Sequence, residues 1–294
     1  MVVAKNAFIS MRFLKKISDF IIYGNFYIAL GAAALCWQTF YLLGLQVKSV
    51  IVLLTFLATF FIYNIDRLLA YKSISGLKSE RHIWITENAR LLLVLTVLSA
   101  LGLLMMLFFL PLKIILFLAH LGFISVGYSL PFLGNGKNQR SLRSIKVLKI
   151  FLITYVWMAA TAWLPALLTD VLFWNNDVLL IAIKRALFIF AVTLPFDIRD
   201  YHADIKTEVT TLPQLMGINN AKWLAIGCMM LFSVIGYMQF YPQRAGIFYA
   251  LIITALTSAA LIWYASPKRH EYYFTALLDG TLLLQFLLIL CFSH

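Results

Sequence analysis

Acid is what this 294-residue chain has least of. Twelve Asp and Glu stand against twenty-four Lys and Arg, for a formal net charge of +12, and charged residues of both signs make up only 12%. Soluble globular chains carry about 25% charged residues, so an ordinary soluble domain is excluded. The mean hydropathy of +0.90 agrees. Cysteine is as scarce: Cys36, Cys228 and Cys291 lie in or beside apolar runs and form no CxxC pair, which excludes a disulfide or zinc framework. No internal repeat is evident and no apolar run carries a Gly/Pro break at its middle, which leaves an ion-coupled transporter as a minor alternative.

What is present is apolar. Hydrophobic residues make up 63% of the chain. They gather in nine runs at about 18–37, 49–66, 90–110, 112–130, 147–168, 178–199, 221–241, 245–265 and 271–291. Each is near the ~20 residues that a helix needs to cross a bilayer. The pattern predicts an all-α, polytopic membrane protein, one transmembrane domain over residues 1–294 with a basic leader at 1–16. Asp19 and Asn25 inside the first run make it a membrane helix rather than a signal peptide. Leu110-Pro111 alone separates the third and fourth runs, so these form a hairpin.

Lys and Arg set the orientation. With the N-terminus in the cytoplasm, 19 of the 24 fall on the inner side, and Lys48, Lys113, Lys184, Arg185 and Arg244 are the remainder. This bias predicts a multi-pass protein of an inner or plasma membrane with its long second, fourth and sixth connections inside. It also explains the net charge without a nucleic-acid partner, for which there is little soluble surface.

Against this background one stretch stands out. FDIRDYHADIKTEVTTLPQ, residues 196–214, holds Asp197, Asp200, Asp204 and Glu208, a third of all the acid, at the inner end of the sixth run. Their spacing of 3, 4 and 4 puts them on one helix face, where like charges repel. A bound cation removes that penalty, and Mg²⁺ beside a phosphate is held by few carboxylates. A solvated helix end is the plainer alternative.

Two further groups face the same side. YNIDRLLAYK, residues 63–72, ends the second run with the oxygen ligands Asn64 and Asp66 and the cations Arg67 and Lys72. Lys137, Arg140, Arg143, Lys146 and Lys149 recur at steps of about three before the fifth run. Arg grips phosphate oxygens in bidentate fashion and Lys acts as a point charge. Anchoring at the interface is the alternative for both groups. Carboxylates for a metal, cations for an anionic head and an apolar surround suit a substrate with a diphosphate head and a long hydrocarbon tail.

Asp197-x-Arg199-Asp200-x-x-x-Asp204, followed by Thr211-Leu212-Pro213, resembles the second aspartate motif of the UbiA-type intramembrane prenyltransferases, DxRDxxxDxxxGxxTLP. The nine runs and a YSxP segment (Tyr128, Ser129, Pro131) before the fifth run agree, so the resemblance extends over nearly the whole chain. The family's first motif, NDxxDxxxD, is matched only at Asp66, with Ile62, Tyr63 and Ala70 in place of the other acids and amide, and Glu208 stands where the second motif has Gly.

The resemblance implies a helical bundle around a central cavity and transfer of a prenyl group from a prenyl diphosphate to a lipophilic acceptor, aromatic or a quinone precursor, among membrane lipids. It implies Mg²⁺ held by Asn64, Asp66, Asp197, Asp200 and Asp204, with Asp66, Asp200 and Asp204 catalytic. Arg67, Lys72, Tyr128, Arg143, Lys146 and Arg199 would bind substrate. An isoprenoid-lipid binder of the same fold, without turnover or with altered chemistry, is the alternative that the thinned first motif raises.

Two other intrusions remain. Asp279 lies about 12 Å into the ninth run, facing a cavity or pairing with a basic neighbour; ionisable groups at such depth are functional candidates. Lys184 and Arg185, early in the sixth run, are expected to snorkel to the outer interface.

Overall fold

A computed structural model describes residues 2–70, 79–129, 147–206 and 210–292, with the side chains of 2–12, 70, 128–129 and 206 left undescribed. Among the described residues every regular element is helical.

The first apolar run is broken. Helix α1 (Val2–Tyr23) and α2 (Phe26–Leu42) meet at an angle of 56°. Asn25 makes the break by adopting a left-handed conformation, φ 65° and ψ 13°, which Asn tolerates better than most residues. Gly24 beside it has no room for a side chain: a Cβ there would stand 2.3 Å from the Phe20 carbonyl oxygen. The first run is thus a bent pair of helices rather than one straight helix, and the basic leader is itself helical. Phe13, Leu14, Ile17 and Ile21 leave one side of α1 exposed and apolar.

Helix α3 (Ser49–Ala70) follows, then the short α4 (Glu80–Glu87), which no apolar run announced. Ser79 caps α4 by accepting a hydrogen bond from the His82 N–H at 3.2 Å, as small polar residues do at helix starts. The third and fourth runs are α5 (Ala89–Leu107), which packs against α3, and α6 (Leu112–Ser129), which packs against the helices of the fifth run.

The fifth run is one continuous span over Leu148–Leu168, but not one regular helix. Helix α7 (Leu148–Met158) passes through a π-helical turn at Ala159–Trp163 into α8 (Leu164–Leu168). Helix α9 (Asn176–Arg199) is the longest span. It gives way to the short α10 (Tyr201–Lys206), α11 (Leu212–Met216) and then α12 (Ile218–Phe240) and α13 (Ala245–Tyr264). A second π-helical turn, Tyr273–Leu278, leads into α14 (Asp279–Phe292).

Seven of these spans are long and apolar enough to cross a membrane, the bent α1–α2 pair makes an eighth, and α6 is a shorter apolar helix. The protein is therefore an all-α, multi-pass membrane protein with about nine crossing helices. The largest buried cluster is drawn from α2, α7, α9, α12, α13 and α14. Helices α5 and α6 form an outer layer whose Leu, Met and Phe side chains face outward.

The structure overturns the snorkelling of Lys184 and Arg185. They are 3% and 4% exposed, on the inward side of α9. Both side chains are packed inside the bundle instead of extending to the interface.

Candidate functional site

A cavity of about 230 Å³ opens where α3 and α9 end and α7 begins. Its mouth is polar because three crossing helices place their charged ends together there. Asp66 and Arg67 come from the end of α3, Lys149 from the first turn of α7, and Asp197, Arg199 and Asp200 from the end of α9. Arg81 of α4 completes the rim, with Asn25 at the α1–α2 break. Further in the lining turns apolar, through Ile28, Leu152, Val156, Ile189, Val192 and Leu282. Tyr27, Tyr63, Trp157 and Phe196 add aromatic surface, and the Trp157 indole N–H donates to the Tyr63 hydroxyl at 3.1 Å.

The charges at the mouth are knitted together. Lys149 Nζ lies 2.7 Å from Asp197 Oδ1, and both side chains are largely buried. Arg199 donates through Nε and Nη2 to the two oxygens of Asp200, at 2.8 and 2.9 Å. Burial alone would raise the Asp200 pKa, but the Arg199 charge and its hydrogen bonds, with Lys149 and Arg67 behind them, hold it below the usual carboxylate value. Glu271, just before the π-helical turn at Tyr273–Leu278, bridges Arg199 Nη1 at 3.3 Å and Arg81 Nη1 at 3.6 Å. Burial, then repulsion by Arg67, pulls the Arg81 guanidinium down to about 9, with Glu271 acting the other way. It remains a cation at neutral pH.

The sequence-predicted residues divide into four sets. Asp66, Arg67, Asp197, Arg199 and Asp200 line one cavity. Asn64 does not. It is fully buried, accepting from Asn25 Nδ2 at 2.9 Å and donating to the carbonyls of Gly24 and Phe60. Its amide braces α3 against the α1–α2 break instead of facing an ion. Asp204 is also absent from the lining, because the acids do not share one continuous helix: α9 stops at Arg199 and a new turn starts on the Asp200 carbonyl, which accepts from the amides of Ala203 and Asp204. Lys72, Arg143, Lys146 and Glu208 lie outside the described residues, as does the Tyr128 side chain.

Sequence reasoning missed Asn25, Arg81 and Glu271. Arg81 counted only as a topology signal, although Ser79-Glu80 ahead of it was a legible helix start. Glu271 is a lone acid at the edge of an apolar run. Lys149 belonged to a recognised basic series, but its pairing with Asp197 across 48 residues had no local signal. Asp279 faces the cavity, so the depth argument located a lining residue.

Hard oxygen donors at the mouth suit Mg²⁺, yet among the described residues no three Asp, Glu, His or Cys side chains stand close enough to share an ion. That is the arrangement expected where protein supplies one or two carboxylates and the substrate supplies phosphate oxygens. Charge balance points the same way. Asp66, Asp197, Asp200 and Asp279 are matched by Arg67, Lys149, Arg81 and Arg199 along the described lining, so the cavity has no surplus of positive charge for a diphosphate. An accompanying divalent cation fits that deficit.

No family model and no curated protein sequence matches this chain. In three dimensions the fold has the architecture of the UbiA-type membrane prenyltransferases. A UbiA homolog from Archaeoglobus fulgidus bound to Cd²⁺ superposes with a TM-score of 0.55 at 14% identity, covering 92% of this chain and 99% of that one. A digeranylgeranylglyceryl phosphate synthase, described as acting in membranes, gives 0.51 at 12% identity, covering 95% and 97%. At such identities the likeness establishes the fold.

Proposed function

We propose that this protein is a membrane prenyltransferase, moving an isoprenoid chain from a prenyl diphosphate to a lipophilic acceptor of the aromatic or quinone-precursor kind. The observation that carries the reading is the cavity's division into a charged mouth and an apolar, aromatic-lined interior on a fold shared with enzymes of this class. The diphosphate lies at the mouth against Arg67, Arg81, Lys149 and Arg199, and the hydrocarbon tail runs inward past Val156 and Val192. Lys72, Arg143, Lys146 and Tyr128 remain candidate substrate contacts on the sequence motifs alone. The basic bias of the connections favours an N-terminus in the cytoplasm, in an inner or plasma membrane.

Asp66 and Asp200, from opposite helices of one cavity, are the residues to hold Mg²⁺. Asp197 serves to fix Lys149, and Asp204 has an outlying role. The Cd²⁺ in the Archaeoglobus fulgidus homolog supports a divalent site in this fold. When bound, the ion offsets the charge on the departing diphosphate. Arg81 and Arg199, both tied to Glu271, present fixed donors to the same oxygens. As the allylic C–O bond breaks, the faces of Tyr63, Trp157 and Phe196 stabilise the carbocation. The acceptor then bonds to that carbon and loses a proton. Asp279, a carboxylate at the inner side of the mouth charges, is placed to take it.

A second reading, an isoprenoid-lipid binder without turnover, is favoured by one observation: both oxygens of Asp200 are already engaged by Arg199. A single experiment separates the two. Purified protein is given Mg²⁺, prenyl diphosphates of several lengths and a panel of lipophilic acceptors, and diphosphate release is measured. We expect release coupled to a prenylated product, lowered at least ~100-fold by Asp200→Asn. Tight binding with no release across the panel selects the binder, and undiminished release by Asp200→Asn overturns the assignment of that residue.

A further inference from the structure

A second polar cluster lies in the other half of the bundle. Along α9, Arg185 precedes Arg199 by about 21 Å of helix, so the two sites are separate. Lys184 and Arg185 adjoin a small space of about 10 Å³, shared with Gln38 of α2 and Gln285 of α14. Such a space holds one water-sized occupant.

The cluster is deeply buried and incompletely satisfied. Lys184 is 3% exposed and its Nζ has no hydrogen-bond partner; it rests 4.1 Å above the centre of the Phe240 ring. Arg185 is 4% exposed, and its Nη2 donates to the Leu35 carbonyl at 3.1 Å and the Thr39 hydroxyl at 3.4 Å. Its Nη1 has no partner, and neither does Oε1 of Gln38 or of Gln285. Arg244 shares the Phe240 ring from 5.6 Å and is held by the Leu42 carbonyl.

Charge is the unresolved quantity. Among the described residues no carboxylate lies within ion-pair distance of Lys184, Arg185 or Arg244. The acid that acts on Lys184 is Asp177, an exposed residue in the first turn of α9 whose carboxylate accepts from Gln239. Removing the Arg185 guanidinium, which stays charged, from water without a counter-charge costs several kcal/mol. A water molecule satisfies the loose hydrogen bonds but leaves that cost standing. An anion relieves it. The two glutamine amides can turn about their terminal torsions to present NH₂ in place of oxygen. A space of about 10 Å³ is too small for a lipid phosphate or any polyatomic headgroup.

We infer that Lys184, Arg185, Gln38 and Gln285 form a buried site for a single monatomic anion of the halide class, which pins α2, α9 and α14 together away from the substrate cavity.

The test uses the full chain, purified in uncharged detergent in sodium gluconate, with chloride or bromide then titrated in at constant ionic strength. The expected result is a saturable rise in melting temperature of at least ~4 °C. Lys184→Met, which places an apolar chain of similar length against Phe240, should melt at one temperature in both salts. Should that variant not fold, bromide-soaked crystals of the wild-type protein provide the second measurement, with an anomalous peak expected between Lys184 Nζ and Arg185 Nη1. Equal melting in gluconate and halide, a halide response retained by Lys184→Met, or a site holding water alone would each overturn the inference.

Discussion

Asn25 decides more of this molecule than its single amide suggests. Its left-handed backbone turns the chain between α1 and α2. Its Nδ2 donates to Asn64 Oδ1 at 2.9 Å, and its Oδ1 accepts from Arg81 Nη2 at 3.0 Å. One buried side chain thus joins the first break, the end of α3 and the connection that carries Arg81 over the cavity. Asn25→Ala removes both bonds and leaves the Asn64 carbonyl and an Arg81 N–H unpaired within the protein. Each such orphan costs about 1–3 kcal/mol. The variant should melt several degrees lower, and its KM for prenyl diphosphate should rise more than its kcat falls, since Arg81 loses an anchor and the reacting carbon loses no direct contact. An unchanged KM would show that Arg81 is positioned by Glu271 alone. None of this was legible in the sequence, where Asn25 reads only as a polar interruption. Asn64 was legible as special but not in kind. Its position beside Asp66 suggested a ligand, and only the fold shows its amide spent on structure.

At the scale of elements, the apolar runs marked the crossing helices well because lipid demands about twenty apolar residues whatever the tertiary contacts. The breaks were harder. Gly24-Asn25 interrupts the first run without marking a bend, and the π-helical turns at Ala159–Trp163 and Tyr273–Leu278 contain nothing that composition flags. Each matters to packing or to the site. The first offers the Thr161 carbonyl to the Thr39 hydroxyl of α2 at 2.6 Å, and the second sets Thr275 and Asp279 on the cavity wall. The end of α9 is the costliest miss. A spacing of 3, 4 and 4 promises one carboxylate face only if the helix continues, and no Gly or Pro at position 200 announces that it stops. The α1–α2 break is open to a direct test. With a Cβ at position 24 only 2.3 Å from the Phe20 carbonyl, Gly24→Ala must unwind the last turn of α1 or shift Asn25. A loss of about 1–3 kcal/mol is expected, visible in thermal melting. Prenyl-diphosphate binding should weaken with it because Asn25 moves, and full stability with full binding would show that α1 yields freely.

At the scale of the whole molecule, the arrangement is a balance of charge at one end of an apolar container. A diphosphate head arrives with at least two negative charges. The described lining has as many carboxylates as cations, and its basic groups are largely committed, Lys149 to Asp197 and Arg199 to Asp200 and Glu271. Little attraction is left for an anion on its own, and in a largely desolvated cavity the mismatch is not screened by water. A divalent cation entering with the diphosphate brings the missing charge. The apolar interior has no such need, since burying a hydrocarbon chain depends on area and not on charge. The two halves of the substrate should therefore respond differently to metal. In a calorimetric titration, EDTA should weaken binding of a prenyl diphosphate at least ~10-fold, a loss of about 1.4 kcal/mol, while a prenyl alcohol of the same chain length should bind equally well with or without EDTA. Restoring Mg²⁺ should recover the diphosphate affinity in the wild-type protein but not in an Asp66→Asn, Asp200→Asn double variant. Should the diphosphate bind as tightly in EDTA as in Mg²⁺, the basic groups at the mouth must release their carboxylates on binding. The paired charges would then be a latch opened by the substrate, with no place left for an ion to fill.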